Sequence, residues 1–431
     1  MNYTEILILV LSFLVFMSLR VPIAYAVGLA GLLTLASAMP FLPSVTTIAQ
    51  RMATSLDSFT LSAIPFFILA GQVMNRGGIA VRLINFAKAI VGPLPGGLAF
   101  VNIISCMLFG AISGSAAAAA SAIGGFMSPM MEKDGYDKPF SAAVNITSAT
   151  TGLIIPPSNI LIIYSLASGG VSIAALFIAG YVPGIILGLA LMIVAAIYSF
   201  IKKYPTYKMV GFKEFFARFF AALPSLLLLV VVIGGIVAGI FTATEASAIA
   251  VIYTFALAAI YKEITWRDVA PILLETIKTS AIVLLLIATS IAMSWVMSYE
   301  NIPQEISNTL LGISDNPIVI LIIINLILLF VGVFMDMTPA VLIFTPIFLP
   351  IVTNLGMDPI HFGIIMILNL CIGLCTPPVG SVLFVGCSVA GLSIQKVIRP
   401  LLPLFIAMIA ILFLITYVPE LSLWLPRQFG L

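Results

Sequence analysis

Runs of about twenty apolar residues, long enough to span a bilayer as helices, recur from Ile6 to Val418 with only short polar gaps between them. Hydrophobic residues make up 62% and charged residues 8% of the 431-residue chain, too few polar groups to solvate a globular surface. The pattern predicts an all-α polytopic membrane protein with roughly ten to thirteen membrane segments, some re-entrant. The first run, Ile6 to Leu19, is followed by Arg20 with no convincing small-residue cleavage site, and reads as a retained helix rather than a signal peptide.

Charge supplies an orientation. Lys202, Lys203, Lys208, Lys213 and Arg218 face a single acid, Glu214, in one loop, which the positive-inside rule makes cytoplasmic. Lys133 and Lys138 mark a second candidate. The net charge of +2 is spread over short loops, so no basic face exists for nucleic acid. Cys106, Cys371, Cys375 and Cys387 lie in apolar segments. Cys371 and Cys375 share a helix face, but His361, the one histidine, is fourteen residues away, so small buried hydrophobes are expected rather than a metal pair.

The basic loop, residues 202–218, separates two parts, 1–201 and 219–431, that carry matching elements. Thr151-Gly152-Leu153-Ile154-Ile155-Pro156-Pro157 resembles Ile372-Gly373-Leu374-Cys375-Thr376-Pro377-Pro378 at an offset of about 221 residues. Leu108-Phe109-Gly110-Ala111-Ile112-Ser113-Gly114 aligns with Phe330-Val331-Gly332-Val333-Phe334-Met335-Asp336 at almost the same spacing. A double proline removes two N–H donors and clashes with the preceding turn, so each helix must break near 152–157 and 373–378 and expose carbonyls. Broken backbone at membrane depth is tolerated where it lines a cavity or is buried in protein. The stretch from Gly96 to Met131 holds about 36 residues without an ionisable side chain. Two arms folded back at Ser113-Gly114-Ser115 fit it better than one tilted helix, and Ala116 to Ala120 let the arms pack closely. A second hairpin is expected from about Pro317 to Val352, with its tip at 336–339. Inverted repeats, each with a re-entrant hairpin and a broken helix, are the architecture of a secondary transporter.

Ionisable groups inside such segments are costly and therefore candidates for function. Asp336, at the second tip after eighteen largely apolar residues, is the foremost; a helix cap is its alternative role. Glu245 has the setting of a helix start, and Asp57 and Glu275 lie near segment ends. Ser113, Ser115, Asn145, Thr147, Ser148, Thr150, Thr151, Ser158 and Asn159 crowd the first tip and the first break. Their neutral oxygens suit an alkali cation, not zinc or copper, although Ser and Thr also serve as interhelical glue. No GxxxxGK[ST], HExxH or GxSxG occurs, so neither ATP hydrolysis nor an intramembrane enzyme is expected, and uphill transport would draw on an ion gradient.

Ala63-Ile64-Pro65-Phe66-Phe67-Ile68-Leu69-Ala70-Gly71, Gly110-Ala111-Ile112-Ser113-Gly114-Ser115, both GLxxPP breaks, Gly239-Ile240-Phe241-Thr242-Ala243-Thr244-Glu245 and Phe334-Met335-Asp336 together resemble the large membrane subunit of the tripartite ATP-independent periplasmic (TRAP) transporters. The resemblance covers residues 5–420 and implies a multi-pass protein of the bacterial cytoplasmic (inner) membrane. It further implies a small four-helix membrane partner, a soluble periplasmic binding protein, and an elevator mechanism driven by two or more Na+. By position, one sodium site would involve Ser113, Ser148, Gly152, Ile155 and Pro157, and another Gly332, Thr338, Gly373 and Thr376. Ser115, Ser158, Asn159 and Asp336 would contact an organic acid, with sialic acid first among the candidates and other sugar acids and carboxylates after it. Ala116 to Ala120 depart from the acidic or Pro-Ala-Thr sequence of many relatives, which leaves the first cation site without a formal negative charge and argues against a C4-dicarboxylate. Other classes that the residues leave open are an ion-coupled carrier acting alone, a passive channel and a scaffold without transport activity.

Overall fold

The computed structural model describes residues 3–205, 211–314 and 316–431; Lys208 of the basic loop lies outside them. The described residues are all-helical, with no strand. Before the basic loop run α1 (Tyr3–Ser18), α2 (Ile23–Ala38), α3 (Phe41–Ser55), α4 (Ala63–Arg76), α5 (Ile79–Val91), α6 (Gly97–Ser113), α7 (Ala116–Lys133), α8 (Lys138–Thr151), α9 (Asn159–Ala167) and α10 (Ile173–Lys202). After it come α11 (Phe212–Val237), α12 (Ala243–Tyr261), α13 (Trp266–Tyr299), α14 (Ile302–Ile313), α15 (Pro317–Phe334), α16 (Met337–Asn354), α17 (Pro359–Leu374), α18 (Ser381–Ala390), α19 (Ile394–Tyr417) and α20 (Glu420–Gln428). Among the described residues seven helices (α10 to α13, α15, α16 and α19) are long and apolar enough to cross a bilayer unaided. The remaining apolar runs are cut into shorter helices, several of them at proline or glycine, or, between α3 and α4, bent by 65° at the polar Leu56-Asp57-Ser58.

Contacts at the helix ends fix which elements share a membrane face. Lys202 Nζ lies 3.1 Å from the Asp137 carboxylate, the Asp137 N–H donates to Tyr204 Oη at 3.1 Å, and Tyr136 stacks on Tyr204 with ring centroids 4.2 Å apart. A Cβ on Gly96 would stand 2.7 Å from Ser199 Oγ in the last turn of α10. Both ends of the α6–α7 hairpin therefore open on the basic-loop face. Tyr164 Oη donates to Pro359 O at 2.6 Å, and Tyr417 Oη to Ile318 O at 3.1 Å. Those bonds hold the start of α15 beside the C-terminal end of α19, and the start of α17, which follows α16 by a short turn, beside α9. The 30-residue α10 starts just after α9 and runs about 45 Å at 1.5 Å per residue to Lys202. The second hairpin thus enters from the face opposite to the first.

Glycine sets the closest crossing in each hairpin. A Cβ on Gly110 of α6 would meet Gly152 Cα at 2.9 Å, and one on Gly332 of α15 would meet Gly373 Cα at 3.0 Å. Each outer hairpin arm is thereby pressed onto the last turn before a break. Buried amides reinforce both crossings: Asn102 Oδ1 lies 3.2 Å from the Ser148 hydroxyl oxygen, and Asn369 Nδ2 donates to Asn325 Oδ1 at 2.8 Å. The inner arms cross over, α7 packing on α18 and α16 on α9, while α8 meets α19 and α17 meets α10. The hairpins and broken helices form one body. A second body is built on α2 with α13 and α4 with α12, again through small residues: a Cβ on Gly28 would meet Thr289 Cγ2 at 3.1 Å, and one on Gly77 the Ala258 Cβ at 3.2 Å.

Candidate functional site

The two tips and the two breaks wall a single cavity of about 280 Å³ between the two bodies. Ser113, Gly114 and Ser115 reach it from the first hairpin, and Asp336, Met337 and Thr338 from the second. Leu153 and Asn159 come from the first break, Leu374 and Ser381 from the second, and Gln72, Asn75 and Thr279 from α4 and α13. Since the hairpins enter from opposite faces, the place where their tips meet lies inside the membrane. Among the described residues Asp336 is the one ionisable side chain on the wall.

Local chemistry explains the tips. Gly114 ends α6 at φ +62°, the left-handed region, and a Cβ there would stand 2.7 Å from Asn159 Nδ2, so only glycine lets the tip close onto α9. Ser115 caps α7 by accepting the Ala118 N–H at 3.2 Å, which leaves its hydroxyl proton to donate into the cavity. Asp336 occupies the equivalent position ahead of α16, yet its side chain makes no cap there and is exposed to the cavity. The carboxylate is consequently available to a ligand. Asn159 Oδ1 is buried without a hydrogen-bond partner. An orphaned acceptor on the same cavity wall as a carboxylate fits a site completed by a cation or by a hydroxyl-bearing solute.

The remaining candidates sit behind the wall. Ser158 is buried and donates to Leu153 O, away from the cavity. The hydroxyls of Thr147, Ser148, Thr150 and Thr151 donate to carbonyls of their own helix, at 3.0, 2.6, 2.9 and 2.6 Å, the usual resort of a hydroxyl buried in an apolar helix. Asn145 is likewise held within the body, donating to Ala120 O at 2.8 Å. The oxygens of this cluster are thus divided between the cavity and the packing behind it. Gly152, Ile155 and Pro157 form the buried first break, whereas Pro378 and Val379 of the second are exposed. Pro156 has no N–H for the Gly152 carbonyl, a hard oxygen of the kind an alkali cation takes. Thr376 donates to Ile372 O at 2.7 Å, and Gly332 and Gly373 form the second crossing. The cysteines are all buried; Cys371 and Cys375 point thiols at Thr150 O and Ile146 O, each at 3.4 Å, so they join α17 to α8.

Away from the cavity, Glu245 accepts from the Thr242 N–H and hydroxyl, both at 2.8 Å, and is a helix-capping residue. Gln72, Asn75 and Thr279 were not singled out from sequence. The available signal was Gln72 and Asn75 three residues apart on one face of an otherwise apolar helix.

Comparison with known proteins agrees with this geometry. Residues 10–421 match the family model of the tripartite ATP-independent periplasmic transporter, DctM component. The chain is 57% identical to the uncharacterized protein YgiK of Salmonella typhimurium, over 99% of this chain and 98% of that one. It is 40% identical to the C4-dicarboxylate TRAP transporter large permease protein DctM of Pseudomonas aeruginosa, over 94% and 95%. Among solved structures, the Alcanivorax borkumensis YdaH transporter shares the fold at a TM-score of 0.66 and 13% identity, covering 90% of this chain and 89% of that one. The chain belongs to the DctM family: it is a large permease subunit of a TRAP secondary transporter for organic acids, a multi-pass inner-membrane protein and not an enzyme.

Proposed function

We propose that this subunit imports an organic acid by sodium symport, receiving it from a soluble periplasmic binding protein and working beside a small four-helix membrane subunit. The observation that carries the proposal is the shared cavity: two tips and two breaks, brought from opposite membrane faces, wall one solute-sized space. Broken helices meeting in this way supply carbonyls and hydroxyls for Na+ and half-helix ends for an anion. Ser113, Ser148, Gly152, Ile155 and Pro157 serve the first ion, and Gly332, Thr338, Gly373 and Thr376 the second. Ser115, Asn159 and Asp336 contact the solute, and Ser158 holds the first break in shape through Leu153. The parts 1–201 and 219–431, joined by the linker 202–218, act as inverted repeats. The body of hairpins and broken helices moves against the body of α2, α4, α12 and α13 as an elevator, with the cavity at their boundary.

Among organic acids we favour a polyhydroxylated monocarboxylate such as sialic acid over a C4-dicarboxylate. Among the described residues the wall carries eight neutral polar side chains, Gln72, Asn75, Ser113, Ser115, Asn159, Thr279, Thr338 and Ser381, and no cation. Such a wall meets hydroxyls well but offers no cation side chain to neutralise a second carboxylate. The test is uptake into proteoliposomes containing this chain and its small partner, with sialic acid and succinate compared, with and without binding protein, under an inward sodium gradient. Uptake that needs both sodium and binding protein is expected. Sodium-driven uptake without binding protein would instead indicate a carrier acting alone, and gradient-independent leakage a channel.

A further inference from the structure

A second polar pocket lies between the central cavity and the basic-loop face. About 450 Å³ in volume, it is lined by Asn75, Arg76, Arg82, Asn85, Phe126 and Glu263 among others. Asn75 also lines the central cavity, so the two spaces adjoin. Its position follows from the chain: α11 starts beside the basic loop, and α12 returns to that side and ends at Tyr261, two residues before Glu263. Arg82 reaches this end, its guanidinium 3.8 Å from the Glu263 carboxylate and 3.6 Å from the centroid of the Tyr261 ring, while Nη1 donates to Gly78 O at 2.8 Å. Phe126 belongs to α7 of the hairpin body, whereas the arginines stand on the α4–α5 segment and Glu263 follows α12. The pocket therefore straddles the boundary across which the bodies would slide.

The charge distribution gives the pocket a use. Among the described residues the central cavity has no cation side chain, and its one ionisable group is an acid. The adjoining pocket does carry cations, Arg76 and Arg82, each with an acid near it, Asp268 for Arg76 and Glu263 for Arg82. We propose that this pocket is a transient carboxylate station on the cytoplasmic exit path, in which Arg76 and Arg82 take the carboxylate of the leaving solute and Glu263 competes for Arg82 to keep the hold weak. Guanidinium is suited to this because it pairs with carboxylate in a planar fork and stacks on an aromatic ring at once. The station rests on the organic-acid importer described above and adds to it a site at which cytoplasmic solute is recognised.

The test is counterflow in proteoliposomes of the full membrane complex, reading the lumenal solute concentration at half-maximal exchange when the basic-loop face is lumenal. In the native protein this concentration should rise with ionic strength, since exposed charges are screened over about 10 Å at 0.1 M salt. Arg76→Gln and Arg82→Gln should each raise it by about tenfold and flatten its salt dependence. Arg82→Lys should restore part of the loss, Glu263→Gln should lower the concentration, and Lys133→Gln, on the same face but outside the pocket, should leave it in place. Arg76→Gln alters an exposed side chain, so a folding defect in Arg82→Gln would leave a decisive variant. Exchange with an unshifted lumenal half-saturation in Arg76→Gln would overturn the station while leaving the importer intact. Absence of sodium- and binding-protein-dependent uptake in the native complex would overturn the importer itself.

Discussion

At the scale of single residues, Asp336 and Asn159 distinguish this cavity from ordinary helix packing. A carboxylate exposed inside a membrane is costly unless it has a partner, and Asp336 is not spent on capping α16. Asp336→Ala is expected to lower sodium-driven uptake by at least about tenfold, or 1.4 kcal/mol in transition-state terms, with normal membrane insertion. Asp336→Asn should fail comparably if charge is what matters; uptake near the native rate in both variants would remove Asp336 from the site. Gly114→Ala is expected to abolish uptake, because it adds left-handed strain and a Cβ against Asn159. Asp336, Ser115 and Asn159 could be picked from sequence because each stands beside a tip or a break. Thr147, Thr150 and Thr151 looked the same on paper and are satisfied by their own helix, since a hydroxyl in an apolar run bonds its i−4 or i−3 carbonyl whether or not a ligand is near. Gln72, Asn75 and Thr279 gave no comparable signal, because they face the cavity only through tertiary packing.

Among elements, the hairpins and breaks were legible because proline chemistry is local. Pro156-Pro157 and Pro377-Pro378 interrupt their helices in any surroundings, and the stretch from Gly96 to Met131, without charge and longer than one tilted helix needs, folds back at Gly114. What sequence did not reveal is how the arms pair across the repeats, α7 with α18 and α16 with α9, a consequence of inversion rather than of any one segment. The glycine crossings tie elements together and make a stability test. Gly110→Ala and Gly332→Ala each place a Cβ about 3 Å from a facing backbone Cα, where overpacking costs typically 1–3 kcal/mol. Both should lower the unfolding temperature of the purified protein. Gly125→Ala, with nothing within 4 Å, should leave it unchanged or raised, as alanine is the better helix former. Equal effects at all three positions would mean that the crossings do not carry the packing assigned to them. Gly71 of α4 faces Ser113, its Cβ position 3.0 Å from the Ser113 carbonyl oxygen, at the boundary between the two bodies. Gly71→Leu should slow uptake more than it lowers stability; loss of both in proportion would make Gly71 a packing residue only.

Over the whole molecule, the proposed alternating carrier rests on one cavity walled jointly by two tips and two breaks. Hairpins that enter from opposite faces place their tips together inside the bilayer, where water-soluble reagents reach them only through the cavity. The four native cysteines are buried, which gives a quiet background for thiol labelling. Ser115→Cys and Thr338→Cys, one on each tip, should therefore be made singly and reacted with a small charged thiol reagent from either face of oriented proteoliposomes. If the tips share one solute and sodium site, the same solute, in the presence of Na+, slows labelling at both positions together, and the accessible face changes for both together when the gradient is reversed. Independent protection, or simultaneous access to the two cysteines from opposite faces, would contradict a single alternating cavity.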